Sequence, residues 1–219
     1  MPALGSDDYA ASFSEIIVHS RPRFAIGIFG DWGSGKTTLM RAIEEDLRPH
    51  DGVVTVWFNA WRYEREEHLI VPLLDTLREG LVAWGELHSG RERRRARQTA
   101  AVVARAARAL AYGLKLSANL PVSVEIDPGK VMESWRGDRA ASRPLSFYHA
   151  SFNAMREAMG DFVERGVRRV VFFVDDLDRC LPMSALEVLE SMKLFFDLEG
   201  FVFVVGLDQT VIERSIELK

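Results

Sequence analysis

Cysteine is almost absent: Cys180 stands alone among 219 residues. A disulfide framework and every cysteine-rich zinc site are thereby excluded, and a reducing compartment suits the chain. Lysine is scarce too, supplying five of the 28 basic residues, so arginine carries nearly all the positive charge. Long apolar runs are missing. A bilayer span needs about 18 uncharged apolar residues, and the longest uncharged segment, Pro144 to Met155, falls short of that. Met1 to Asp8 hold neither the basic patch nor the apolar stretch of a signal peptide. His19, His50, His68, His88 and His149 are scattered without ligand spacing, which argues against zinc. What remains is 47% apolar and 27% charged with a net charge of −4, a globular balance unsuited to wholesale disorder and, for the protein as a whole, to polyanion binding. A cytoplasmic protein is expected, with contact to the inner face of a membrane left open.

Four short, nearly continuous apolar runs stand out: Phe24–Phe29, Val53–Phe58, Val170–Val174 and Phe201–Val205. Strands buried on both faces look like this, and such strands belong to parallel sheets. Amphipathic stretches separate them. Leu39, Ile43 and Leu47 mark one face; Leu69, Leu73, Leu77 and Leu81 another; Tyr148, Phe152, Met155, Met159 and Phe162 a third. Ser184 with Glu187 and Thr210 with Glu213 read as capping boxes opening helices. The alternation predicts a three-layer α/β fold with a mainly parallel sheet. One domain over 1–219 is expected, interrupted by an insertion at about 91–143. That insertion opens on Arg91, Arg93, Arg94, Arg95 and Arg97 and contains a candidate short strand, Pro121–Ile126. The helical pattern at the end runs to Lys219 without a stop signal, so a C-terminally truncated domain is expected.

Gly30-Asp31-Trp32-Gly33-Ser34-Gly35-Lys36-Thr37 satisfies G-x-x-x-x-G-K-[ST] and sits between a strand and an amphipathic helix. Glycines at 30, 33 and 35 let consecutive N–H groups curl around an anion, and the following helix adds its positive end. Lys36 then reaches the β- and γ-phosphates and the Thr37 hydroxyl ligates Mg²⁺. Thr38 completes the binding segment. The third run ends in Asp175-Asp176-Leu177-Asp178-Arg179. Ligands bind at the carboxyl ends of parallel strands, so Asp175 is expected to hold Mg²⁺ beside Thr37, directly or through water. Asp176 is expected to deprotonate the attacking water. Asp178 and Arg179 either pair with each other or brace the loop, and Arg179 also suits a finger toward a neighbouring subunit. Asp208, after the fourth run, serves as a γ-phosphate sensor, as a helix N-cap, or as both. The guanine-reading Asn-Lys-x-Asp signature and the Leu-Ser-Gly-Gly-Gln signature are both missing, which favours ATP and disfavours a transporter-type ATPase.

The segments GIFGDWGSGKTTLM (27–40), FNAWRYE (58–64), VVFFVDDLDRC (170–180) and VFVVGLDQTVIERSI (202–216) together resemble the KAP family of P-loop NTPases. The lead-in from Leu4-Gly5 to Tyr9-Ala10 is similar too. The resemblance implies an ATP-binding, ATP-hydrolysing domain, with Lys36 and Thr37 in the Walker A role and Asp175 and Asp176 in the Walker B role. It implies strand order 2-3-4-1 for the strands present, with an open edge at the first strand. Members include animal signalling scaffolds and bacterial proteins connected with phage exclusion. Many carry transmembrane helices between the two nucleotide motifs; Arg105, Arg108 and Lys115 make a spanning helix there unexpected in this chain.

The expected activity is a nucleotide-driven conformational switch, slow in isolation, with a homo-oligomer or partner joined through a C-terminal continuation. Two alternatives stay open: a small-molecule kinase using Arg136, Arg139 and Arg143 as a lid, and an ATP-binding scaffold without turnover. Asn59 is placed near the phosphates, Trp57 and Trp61 read as packing residues, and Arg62 as a surface residue. The Arg91–Arg97 run reads as a solvated helix face or loop, as a contact for acidic lipid headgroups, or as a nucleic-acid contact.

Overall fold

The computed structural model describes residues 6–20, 24–66, 68–119, 147–164, 167–193, 195, 198, 200–210 and 213. The four apolar runs become β1 (Phe24–Phe29), β2 (Val53–Asn59), β3 (Arg169–Asp175) and β4 (Phe201–Leu207). They form one sheet in the order β1-β4-β3-β2, with every neighbouring pair parallel. Read from the other edge this is the expected 2-3-4-1. Asn59 lies opposite Asp175 and Phe29 opposite Leu207, so the carboxyl ends of the strands share one rim.

Alternation along the strands sorts side chains between two layers. Val56, Phe58, Phe172, Val174, Phe203 and Val205 belong to one core. It is shared with α3 (Ile70–Leu87), α4 (Gly90–Asn119), α5 (Phe147–Glu164) and α6 (Pro182–Lys193). Phe172 is its centre, with ring centroids 5.2 Å from Phe203 and 5.9 Å from Phe195. Val171, Phe173, Val202 and Val204 face the other way, toward α1 (Ser6–His19) and α2 (Lys36–Leu47). The Arg169 guanidinium ties β3 to that layer, donating to the carbonyls of Ile17, Val18 and Ser20 at the end of α1. Among the described strands β1 is an edge, and Phe29 is exposed on it.

The helical periodicities hold where they are described. Ile43 and Leu47 are buried, as are Leu69, Leu73, Leu77 and Leu81, and Met155, Met159 and Phe162. The side chains of Tyr148 and Phe152 lie outside the described residues.

Two local expectations are corrected. Helix α6 opens at Pro182, and the Ala185 N–H already reaches the Leu181 carbonyl at 3.0 Å, so Ser184 is inside the first turn. Proline suits that opening because its missing N–H would have had no intrahelical acceptor. Glu187, freed from a capping box, accepts the Leu69 N–H at 2.9 Å and joins α6 to the start of α3. At the second supposed box the cap is Asp208, whose Oδ1 accepts the Thr210 N–H at 2.9 Å and its hydroxyl at 2.7 Å. Of the two readings of the Arg91–Arg97 run, helix face or loop, the structure shows the helix. Residues 90–119 form one helix whose Ala96, Ala100, Val103 and Leu110 are buried in the main core. Gly85 on α3 permits the close approach: a Cβ there would stand 2.8 Å from that of Ala96. Pro121–Ile126, Arg136, Arg139 and Arg143 lie outside the described residues. Among the described residues, no helix is long and apolar enough to cross a membrane.

Candidate functional site

From Phe29 the chain leaves the sheet and returns as α2 within six residues. The Gly30 N–H donates to the Leu207 carbonyl at 3.2 Å, anchoring the loop to the end of β4. Gly33 and Gly35 have φ of 78° and 95°, left-handed values that other residues adopt only with strain. Gly35 is also the N-cap of α2 and offers no side-chain acceptor. The first-turn N–H groups of that helix therefore face the cleft with their partial positive charge uncapped. At Gly30 a Cβ would collide with the Ser34 hydroxyl at 2.5 Å. The result is a cleft of about 270 Å³, walled on one side by Trp32 to Thr38 and on the other by Asp175, Asp176, Asp178 and Arg179.

The two walls meet in a set of polar contacts. The Thr37 hydroxyl donates to Asp175 Oδ1 at 3.1 Å. Asp175 is buried at the end of β3, and its Oδ1 also accepts the Asp176 N–H at 3.0 Å. Gly206 on β4 makes room for this arrangement, since a Cβ there would stand 3.2 Å from Met40 Sδ and 3.6 Å from Asp175 Oδ1. Lys36 Nζ donates to the carbonyls of Gly30 and Asp31 at 2.7 and 3.1 Å and pairs with Asp178 Oδ2 at 3.0 Å. Both partners of that ion pair are about 10% exposed.

Asp176 has a φ of 55°, the left-handed region that aspartate tolerates better than most residues. A 3₁₀ turn, Leu177–Arg179, follows it and swings the chain back. Both carboxylate oxygens of Asp176 are engaged. Asn59 Nδ2 donates to Oδ2 at 2.6 Å, and Arg179 Nε approaches Oδ1 at 2.8 Å. Asn59 is itself fixed, its Oδ1 accepting the Arg62 N–H at 3.0 Å.

The structure thus brings Gly33, Ser34, Gly35, Lys36, Thr37, Thr38, Asp175 and Asp176 to one cleft, with Trp32 exposed at its mouth. Gly30 and Asp31 contribute carbonyls to Lys36. Asp208 is outside the cleft lining, capping the helix after β4. The expected Asp178–Arg179 pair is replaced by crossed pairings, Asp178 with Lys36 and Arg179 with Asp176. Trp57 packs as expected, 4.9 Å from the Phe173 ring and beneath the Arg41 guanidinium. Trp61 does not: it is 53% exposed. Asn59 as the partner of Asp176 was legible only as a polar residue at a strand end. Cys180 lies just beyond the turn, buried, with its thiol pushed up to about 12 by burial first and then by Glu64, Asp176 and Asp178. It stays protonated and is no nucleophile at neutral pH.

A family profile described as the KAP family P-loop domain matches residues 6–219. The chain belongs to the KAP family of P-loop NTPases. No curated protein compared with it matches. Membership of the KAP family makes the chain a nucleotide-binding P-loop domain in general terms. It agrees with the glycine-rich strand-to-helix turn already described. In this KAP domain the hydroxyl of the motif and the carboxylate at the end of β3 are in direct contact.

Proposed function

We propose that the chain binds ATP with Mg²⁺ and hydrolyses it, alternating between nucleotide-bound and nucleotide-free states as a conformational switch of the kind used in signalling or phage-defence systems. The carrying observation is the 3.1 Å contact between Thr37 Oγ1 and Asp175 Oδ1. A hydroxyl and a carboxylate at that separation offer two of the oxygens that Mg²⁺ takes, the remainder coming from phosphates and water. When bound, Mg²⁺ neutralises charge on the β- and γ-phosphate oxygens.

The chain's own groups do the rest. The N–H groups of residues 33–37 surround the phosphates. Lys36 exchanges the Asp178 carboxylate for phosphate oxygens. Asp176 accepts a proton from the attacking water as the new oxygen–phosphorus bond forms and ADP leaves. Asn59 and Arg179 hold that carboxylate in place. The same pair of contacts favours a second reading, a scaffold that binds ATP without turning it over, because both Asp176 oxygens are already occupied.

Phosphate release by the purified chain, beside Lys36→Ala, tests the first reading. Mg²⁺-dependent release that vanishes in the variant supports hydrolysis. Tight, Mg²⁺-dependent ATP binding with release no faster than in the variant leaves the scaffold. Absence of ATP binding defeats both.

A further inference from the structure

The arginines of α4 were first visible as a run, Arg91 to Arg97, but the helix redistributes them. Arg93 and Arg97 turn toward α3 and pair with Glu86 at 3.2 and 2.7 Å. Arg91, Arg94, Arg105 and Arg108 are exposed, and no acidic partner is recorded for them among the described residues. With Gln98 and Ala101 they fall within an arc of about 100° at 3.6 residues per turn. The helix holds eight of the chain's 28 basic residues and only one of its 32 acidic ones, Glu92. More than a quarter of the basic residues of an acidic protein lie on this one helix.

The other side of the rod decides what that charge can meet. An interfacial membrane helix needs its apolar face for the acyl boundary. Here Ala96, Ala100, Val103, Ala107 and Leu110 are all buried in the domain core. The outward arc carries four guanidinium groups, Gln98 and Ala101, while Ala109, at the same angle as Arg91, is buried. The four arginines also form two pairs, 91/94 and 105/108, centred about 21 Å apart along the axis at 1.5 Å per residue. Between them lie the uncharged Gln98 and Ala101, with the Glu86-paired Arg97 beside them along the same surface hollow. The roughly 21 Å between the pair centres exceeds the width of a major groove, about 12 Å, so each pair falls on the phosphate row beyond its own edge of the groove. Guanidinium forks bind phosphate oxygens in pairs, which lysine cannot do.

We propose that the outer face of α4 is a docking surface for double-stranded DNA, laid across the major groove with one arginine pair on each sugar–phosphate backbone. Recognition is of the backbone and carries no base sequence. The surface is independent of the nucleotide cleft, so it stands or falls apart from the ATPase reading.

The test is titration of the 219-residue chain with a 30-base-pair duplex over a range of salt, and separately with phosphatidylserine vesicles. Four phosphate contacts predict a slope of log K against log [salt] of about −3.6. Each single arginine-to-alanine change at 91, 94, 105 or 108 should reduce that slope by about 1. The fourfold alanine variant should lose binding at least about 100-fold at low salt while keeping its circular dichroism and melting temperature. The fourfold lysine variant should keep most of the slope but bind more weakly. Sequence-scrambled duplexes should bind equally. The proposal is overturned if the chain ignores DNA, if the fourfold alanine variant binds as well as the parent, or if vesicles are bound and duplexes are not.

Discussion

Lys36 and Arg94 are both cations near the first turn of an α-helix, one opening α2 and the other near the start of α4. Lys36 is almost buried and satisfied three times over, by the carbonyls of Gly30 and Asp31 and by Asp178. Arg94 is exposed, with no acidic partner among the described residues. The contrast extends to their neighbours. In the cleft, Asp175, Asp176, Asp178 and Arg179 all have assigned partners within about 3 Å. Buried charge must be paired because desolvation otherwise disfavours it. Exposed charge need not be, and it acts at longer range and under salt screening. A perturbation in the cleft should therefore change chemistry by orders of magnitude, whereas one on α4 should leave the domain nearly untouched.

Asp176→Asn presses hardest on that difference. It keeps the side-chain shape and removes the proton acceptor, so turnover should fall about 10²–10⁴-fold, the usual weight of a general base. ATP affinity, measured by titration with Mg²⁺, should stay within a few-fold. A variant with parental turnover would remove Asp176 from the chemistry.

Cys180 reads the cleft's charge from behind. Its thiol, pushed up to about 12 from an ordinary 9, should be alkylated at pH 8 roughly 10³-fold more slowly in the folded than in the unfolded chain, in step with its thiolate fraction. The linkage has a definite sign. The folded thiol keeps its proton where the unfolded one loses it, so this contribution to stability is intact below pH 9 and declines as the pH climbs toward 12. Equal labelling rates in the two states would contradict the burial that sets the shift.

Asp178→Asn acts with opposite signs on the two states. Without nucleotide it leaves the Lys36 ammonium short of a nearly buried partner, at a cost of about 3 kcal/mol. With nucleotide it removes the carboxylate that competes with phosphate, so affinity should rise about tenfold, or about 1.4 kcal/mol. Calorimetric titration together with a thermal melt separates the two effects. A loss of affinity would make Asp178 a ligand-side residue and not a competitor.

The strands, their ends and most of the cleft were legible in the sequence because each rests on a local rule, whereas the sheet order came with the family resemblance. Continuous apolar runs such as Val170–Val174 require burial on both faces, and Gly33 and Gly35 announce backbone that only glycine adopts easily. What escaped was decided by tertiary packing. Asp178 meets Lys36 only because a 3₁₀ turn reverses the chain after Asp176. Ser184 loses its capping role to a proline two residues earlier. Glu187 and Leu69 are 118 residues apart, and no local pattern links them. On α4 the dense arginine run concealed its own periodicity, since Arg93 and Arg97 face inward toward Glu86 while Arg91 and Arg94 do not.

That last distinction gives the smallest and most specific expectation. The Glu86 carboxyl is held below its ordinary value of 4.5, first by the hydrogen bond from Arg97 and then by the charges of Arg93 and Arg97. A depressed carboxylate contributes stability above its unfolded value and loses it as the pH falls through the folded one. Arg97→Ala should therefore lower the melting temperature at pH 7 in low salt by no more than about 2 °C, given how little exposed pairs contribute. The difference from the parent should shrink as the pH falls through the depressed titration of Glu86, and should vanish in 1 M salt, where screening has already removed the interaction. Arg94→Ala, with no acid to release, should match the parent at every pH and salt concentration. If the two variants melt alike throughout, the division of α4 into an inward-paired and an outward-free arginine set is wrong, and the docking face loses its basis.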